Sequence, residues 1–286
     1  MINIQPQRVV TRNGRTVQAT FFHPNGEPVA AVLLVPGLGT GQRYYAAFAS
    51  WLAAQGLLVA TFDYVGTGAS GPHELRGLDV NIVDWARLDC DAMLDAISLC
   101  APDKPLYWIG HSLGGQILGF VPRPERITKV LTIAAGSGYW LDHAASLKWR
   151  VWWLWYVVAP LATRWFGYFP GKRLRKVGDL PRGVMEQWRR WCLHPDYAVG
   201  AEGPSVRADF AALSTPMTSI SFTDDELMSA RNTASLHGFY VGATPSMVRL
   251  SPQALGVKRI GHFGFFRAQF ENLWRTHVLP ELSPVP

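Results

Sequence analysis

The sequence predicts an α/β fold built on a mainly parallel sheet. Three observations predict it. Short apolar runs of the kind expected for strands covered on both faces recur at residues 30–35, 57–62, 106–109, 129–134 and 216–222. Segments with apolar residues at helical spacing, such as 44–55 and 79–100, separate them. The chain has 286 residues, of which 48% are hydrophobic and 17% charged, enough for one large core or for a core carrying an insertion.

Taken in order, residues 9–11 and 16–22 form a hairpin around Asn13-Gly14, a dipeptide suited to tight turns. The strand at 30–35 runs into Pro36-Gly37-Leu38-Gly39-Thr40-Gly41, whose glycines leave backbone N–H groups open to a ligand oxygen. The helix at 44–55 stops at Gly56. The strand at 57–62 leads to Asp63-Tyr64-Val65-Gly66-Thr67-Gly68-Ala69-Ser70. There Asp63 reads as a buried carboxylate fixing the loop through backbone hydrogen bonds, in preference to a catalytic group. Residues 79–100 make a long amphipathic helix that ends before Pro102.

The strand at 106–109 enters Gly110-His111-Ser112-Leu113-Gly114, and residues 115–120 begin a helix. Strand, sharp turn and helix form the setting in which a G-x-S-x-G sequence exposes its serine as a nucleophile. Elsewhere the same pattern is a glycine turn with an incidental serine. After the strand at 129–134 the alternation breaks. It resumes with the strand at 216–222, the loop Thr223-Asp224-Asp225-Glu226, a short helix at 229–237 and a strand at 247–250. The loop Ile260-Gly261-His262-Phe263-Gly264 and a closing helix at 265–277 complete the chain.

The break divides the chain into a core, residues 1–138 and 212–286, and an inserted helical lid, residues 139–211. Residues 142–190 carry ten Lys or Arg against three Asp or Glu, and eight of the twelve tryptophans fall between Trp140 and Trp191. Residues 151–159 are apolar all round and too few to span a bilayer, which takes about 20. Such a helix is normally buried, so packing against the core is the first expectation. In a second reading its tryptophans roof an apolar pocket over Ser112. In a third, with Lys148, Arg150, Arg164, Lys172, Arg173, Arg175 and Lys176 beside it, it makes a peripheral contact with an anionic membrane. Nucleic acid is disfavoured, because the aromatic residues cluster apart from the charges. Cys90, Cys100 and Cys192 show no metal-ligand spacing and read as buried small hydrophobes. With no secretory pattern in the first residues, a reducing cytoplasm is the expected compartment. The pattern calls for neither cofactor nor metal.

A serine hydroxyl needs a base, and the base needs a carboxylate to hold its tautomer. Reactive groups of a parallel sheet gather at the carboxyl ends of its strands. This selects His262 over His23, His73, His111, His143, His194, His237 and His277. His111, inside the turn, is expected to point away from Ser112. The same rule selects Asp224 or Asp225, of which only one can face the imidazole. Asp225 is preferred because a helix starts soon after it, leaving Asp224 solvated or capping that helix near Ser229. The oxyanion donors are the N–H of Leu113, at a helix start, and that of Leu38.

Together Pro36-Gly37-Leu38-Gly39, the loop from Asp63 to Ser70, Gly110-His111-Ser112-Leu113-Gly114-Gly115, Asp224-Asp225 and Gly261-His262-Phe263 resemble the serine hydrolases of the α/β-hydrolase superfamily. Gly171-Lys172-Arg173 and Gln187-Trp188-Arg189-Arg190-Trp191 resemble a bacterial group of predicted α/β-hydrolases. The resemblance implies the α/β-hydrolase fold, with Ser112 as nucleophile, His262 as base and Asp225 as acid. Val65 departs from the family, where arginine often follows this turn. Serine at the elbow argues against dehalogenases and epoxide hydrolases, which carry aspartate there. The implied activity is esterase-like or lipase-like cleavage of a small-molecule acyl ester through an acyl-enzyme. An aminopeptidase or amidase of the same fold needs an acidic lid residue for the substrate ammonium, and this lid is basic. A binding protein that keeps the fold without turnover is the remaining alternative.

Overall fold

A computed structural model describes residues 2–71, 74–174 and 177–282. Among these residues an eight-stranded sheet and a two-stranded ribbon form. The strands are β1 (Asn3–Val10), β2 (Thr16–His23), β3 (Ala30–Val35), β4 (Leu57–Asp63), β5 (Leu106–His111), β6 (Lys129–Ile133), the ribbon strands β7 (Tyr168–Phe169) and β8 (Leu180–Pro181), β9 (Met217–Phe222) and β10 (Ser246–Leu250). The main sheet runs in the order β1-β2-β4-β3-β5-β6-β9-β10. β2 pairs antiparallel with β1 and β4, and every other pair is parallel.

Every residue of β3, β4, β5 and β9 is buried, as their unbroken apolar runs require. Their side chains alternate between two cores. Ala31, Leu33 and Val35 enter one; Ala30, Val32 and Leu34 enter the other. β1 starts earlier than its sequence suggests. It is a mostly exposed edge strand, where Pro6 is tolerated.

On the second core lie α1 (Ala46–Ala54) and, later, the C-terminal helix; on the first lie α2 (Ile82–Asp84), a π-helical turn (Trp85–Cys90) and α3 (Asp91–Cys100). The helix expected at 79–100 therefore begins at Ile82 and is interrupted. Asn81 and Asp84 cap it reciprocally, at 2.9 and 3.0 Å. The π turn carries Trp85 and Asp89, which bond the carbonyl and the N–H of Val65 at 2.9 and 2.8 Å. After β5, α4 is only Leu113–Gln116, followed by a 3-10 turn at Leu118–Phe120. Gly114, Gly115 and Gly119 supply little helix propensity, so the expected helix at 115–120 does not extend.

Between β6 and β9 the segment expected to be an insertion builds α5 (Ala145–Trp153), a π turn (Leu154–Val158), α6 (Ala159–Phe166), the ribbon, α7 (Arg182–Leu193), α8 (Tyr197–Ala201) and α9 (Pro204–Ala212). Its inner residues, among them Trp155, Met185, Trp191 and Tyr197, join the first core. The Gln187 Oε1 atom accepts the N–H groups of Ile82 and Val83 at 2.7 and 3.1 Å. The expectation that the apolar run at 151–159 is buried all round is corrected. Val151, Trp155, Ala159 and Thr163 face inward, whereas Trp149, Trp153, Tyr156, Leu161 and Trp165 are exposed. A helix laid across the outside of a core can turn only one stripe toward it. No helix among the described residues is long and apolar enough to cross a membrane.

The chain ends with α10 (Ala230–His237), capped by Ser229, then the short turn α11 (Gly261–Gly264) and α12 (Glu271–His277). The closing helix is shorter than residues 265–277, because Phe265 and Phe266 turn into the second core. The cysteines are unpaired. Cys90 and Cys192 are buried, but Cys100, the last residue of α3, is exposed, contrary to expectation.

Candidate active site

β3 lies between β4 and β5, so the chain leaves β3 in one direction and returns on its other side. The carboxyl ends of β3 and β5 flank this switch point, where α/β sheets open a crevice. Ser112 follows β5 there with φ 50° and ψ −112°, a backbone state that costs a non-glycine residue about 1–3 kcal/mol. Its neighbours must be glycines. A Cβ on Gly110 would stand 2.3 Å from the Gly114 carbonyl oxygen, and one on Gly114 would stand 2.2 Å from that of Val35. The Ser112 N–H donates to Ile133 at 3.0 Å, and Trp108 Nε1 donates to Gly114 at 3.0 Å, pinning the turn from both sides.

The loop after β3 presses against this turn. A Cβ on Gly37 would come within 3.3 Å of Ser112 Cβ. Leu38 and Leu113 are both buried, and neither N–H donates a backbone hydrogen bond among the described residues. Leu113 is the first residue of α4, where helix N–H groups lack intrahelical partners.

The loops after β9 and β10 join through three consecutive carboxylates. Asp225 accepts from His262 Nδ1 at 2.9 Å (Oδ2) and 3.1 Å (Oδ1). Both side chains are almost fully buried, at 1% and 2% exposure. The Asp225 Oδ1 atom also takes the N–H groups of Leu227 and Met228, each at 2.8 Å. Asp224 is neither solvated nor a cap for α10, as its sequence position suggested. Its Oδ2 accepts the N–H groups of Ile260 and Gly261 at 2.8 and 3.0 Å. Glu226 Oε2 accepts the N–H of His262 itself at 3.1 Å. The three acids thus hold the imidazole and the backbone on which it is carried.

His111 connects this unit to the elbow. It is fully buried, and its Nε2 lies 3.1 Å from the His262 carbonyl oxygen. A carbonyl only accepts, so Nε2 carries the hydrogen and Nδ1 is the acceptor. Tyr45 Oη lies 2.7 Å from that Nδ1, donates to it, and accepts the Gly37 N–H at 2.9 Å. Burial, reinforced by the neighbouring His262, pushes the His111 pKa down to about 3, so the ring stays neutral. One imidazole therefore joins the glycine loop, the elbow and the His262 loop. Sequence reading missed this role, as it missed Tyr45 and Glu226.

The other candidates stand apart. Asp63 takes the N–H groups of Gln42 and Ala69 at 2.7 and 2.9 Å and fixes its loop. His237 is buried between Thr132 and Thr233, at 2.7 Å from each. His143 bonds the Leu227 carbonyl at 2.8 Å, and His194 Nδ1 accepts the Asp196 N–H at 3.0 Å. His277 contacts Thr276, and His23 packs on Phe21. His73, Arg175 and Lys176 lie outside the described residues. Beside the glycine loop a hollow of about 610 Å³ opens, walled by Gly39–Gly41 and Gly66–Gly68 on the core side and by Phe166, Tyr168 and Lys172 of the insertion. The insertion touches the loop directly. A Cβ on Gly39 would meet the Gly178 nitrogen at 2.6 Å.

A family described as "Serine aminopeptidase, S33" matches residues 26–167. Monoglyceride lipase of Mus musculus is 29% identical over 128 residues, 44% of this chain and 41% of that protein. The chain thus spans about two-fifths of the length of this curated relative. An esterase of Pyrococcus furiosus superimposes with a TM-score of 0.60 at 13% identity, covering 97% of this chain and 90% of that one. A thermostable carboxyl esterase of Bacillus coagulans gives 0.58 at 15% identity, covering 88% and 90%. At these identities the two structures establish a shared fold.

Proposed function

The chain belongs to the α/β-hydrolase superfamily, among its serine hydrolases, and from that premise we propose that it cleaves carboxylic esters through Ser112, His262 and Asp225. One observation carries the reading. A buried imidazole is hydrogen-bonded through Nδ1 to a buried carboxylate, and its own backbone carbonyl is bonded by the ring of His111, the residue before a serine in a strained elbow. That bond leaves Nε2 of His262 as the basic atom.

In this mechanism Ser112 Oγ attacks the ester carbonyl carbon and gives its proton to His262 Nε2. Asp225 keeps Nδ1–H in place and balances the imidazolium. The N–H groups of Leu113 and Leu38 receive the developing oxyanion, and losing one such donor costs about 3 kcal/mol. Collapse breaks the carbon–oxygen bond, and the leaving alcohol takes the proton from Nε2. Water then repeats the attack on the acyl-enzyme, with His262 as base, and releases the acid.

The lipase and esterases among the similar proteins support an ester substrate. The aminopeptidase description of the family favours a second reading, amide cleavage at a free amino terminus. Residues 143–178 contain no Asp or Glu to receive an ammonium group, and the second reading would have to use Asp179 or Glu74 in the wall of the hollow. As part of the same proposal, the insertion governs access to Ser112, and the three free cysteines suit a cytoplasmic setting. The test is turnover of a p-nitrophenyl ester and of an aminoacyl p-nitroanilide. Ser112→Ala is expected to lower ester kcat by at least about a thousandfold. Equal ester rates for wild type and variant overturn the reading, and turnover of the anilide alone selects the second.

A further inference from the structure

The helix running from 145 to 166 has two stripes at the same spacing of four. One is buried at Val151, Trp155, Ala159 and Thr163. The other, offset by two residues, is exposed: Trp149 by 70%, Trp153 by 50%, Leu161 by 61% and Trp165 by 83%. Tyr156 lies exposed beside it, and Trp152 stacks on Trp149 at 5.0 Å. Large aromatic side chains in water are unfavourable, and so many in one line mark a surface that meets something.

The charge around the stripe says what. From His143 to Gly178 the sequence has seven Lys or Arg and no Asp or Glu. Arg150 and Arg164 stand exposed on the helix, and Lys172 and Arg173 stand exposed just beyond it. A second copy of the chain would bring this positive face against itself, so self-association through it is opposed. The helix cannot cross a bilayer, because its other stripe is part of the core. Tryptophan with arginine and lysine matches the interface of a bilayer, aromatic rings at the headgroup level and cations on anionic lipid.

We infer that the exposed stripe of the 145–166 helix docks the protein, lying in the plane, on an anionic lipid bilayer. Phe166, at the end of this helix, walls the hollow beside Gly39–Gly41. Docking therefore sets that hollow at the membrane surface. If the ester-hydrolase reading holds, this supplies the enzyme with lipid-dissolved esters.

The experiment is co-sedimentation with vesicles of phosphatidylcholine alone and of phosphatidylcholine mixed with phosphatidylglycerol, read with tryptophan emission. The proteins are the wild type, Trp149→Ser/Trp153→Ser/Trp165→Ser and Arg150→Gln/Arg164→Gln. Wild type is expected to bind the mixed vesicles with a blue shift and to be released by high salt. The tryptophan variant is expected to lose binding, and the arginine variant to weaken roughly fivefold for each charge removed. The exposed positions predict unchanged thermal unfolding midpoints, which certify the fold of each variant. Absence of wild-type binding to mixed vesicles overturns the inference, as does equal binding by a folded tryptophan variant. A wild-type dimer in size-exclusion chromatography that the tryptophan variant abolishes also overturns it. Vesicle binding by a protein that cleaves no ester leaves the docking surface standing and refutes only the proposed activity.

Discussion

Asp224 and Asp225 are adjacent and chemically identical, yet they hold different things. Period-two geometry sends neighbouring side chains opposite ways, so sequence narrows the partner of His262 to these two, and only the nearby helix start favours Asp225. Asp225 meets the ring at 2.9 Å, whereas Asp224 holds the backbone at Ile260 and Gly261. In the proposed mechanism, Asp225→Asn leaves the shape intact but favours the wrong tautomer, and kcat is expected to fall about 10⁴-fold. Asp224→Ala frees two N–H groups instead, so unfolding free energy should drop by about 1–3 kcal/mol with a much smaller loss of kcat. Steady-state kinetics and urea unfolding of the two variants separate these outcomes. An Asp224 variant that loses activity as severely as the Asp225 variant, while unfolding normally, would reverse the roles. Ser112 was legible because its signal is local: strand, turn and helix within a dozen residues. His111 was not, since its partners lie 66 and 151 positions away and nothing near it in the chain announces them.

At the scale of elements, the buried strands of the main sheet were legible, the exposed start of β1 and the ribbon were not, and the helices were legible only in outline. Apolar runs buried on both faces announce themselves, whereas π turns and short helices answer to contacts made elsewhere. The start of α2 is an example. Asn81 caps it locally, as a sequence can suggest, but its N–H groups at Ile82 and Val83 are satisfied by Gln187 from α7, more than 100 residues on. Gln187 is buried and its Nε2 donates to Glu202, at the end of α8, at 3.0 Å, so the amide ties α2 to that end. Gln187→Leu keeps most of the volume but strands two buried N–H groups. We expect a loss of about 1–3 kcal/mol in urea unfolding. A variant as stable as the wild type would show that the insertion is held to α2 by packing alone. The orientation of the 145–166 helix was equally hidden. Apolar residues on all sides do not say which stripe the core will take.

For the molecule as a whole, burial of ionisable groups gives stability a pH dependence of definite sign. His111 and His237 are held neutral, with pKa values pushed by burial from 6.5 to about 3 and about 4. Unfolded, each binds a proton below 6.5; folded, each refuses it until pH 4 or lower. Their contribution is therefore complete above pH 6.5 and is lost as pH falls. Asp89 opposes them. Burial raises its pKa from 3.8 to about 7, so the folded chain keeps a proton that the unfolded chain releases, and stability falls as pH rises between those values. Between pH 4.5 and 6, unfolding takes up two protons at the histidines and releases one at Asp89. The net uptake of one proton makes stability rise with pH by about 1.4 kcal/mol per unit from these three groups. Asp89→Asn keeps an acceptor for the Val65 N–H but removes the opposing proton, and the slope should roughly double. His237→Gln removes one of the two supporting protons, and the slope should flatten toward zero. Urea unfolding of the three proteins at pH 4.5, 5.5 and 6.5 measures these slopes. An Asp89→Asn variant whose slope equals that of the wild type would mean that this carboxylate is already ionised in the folded core.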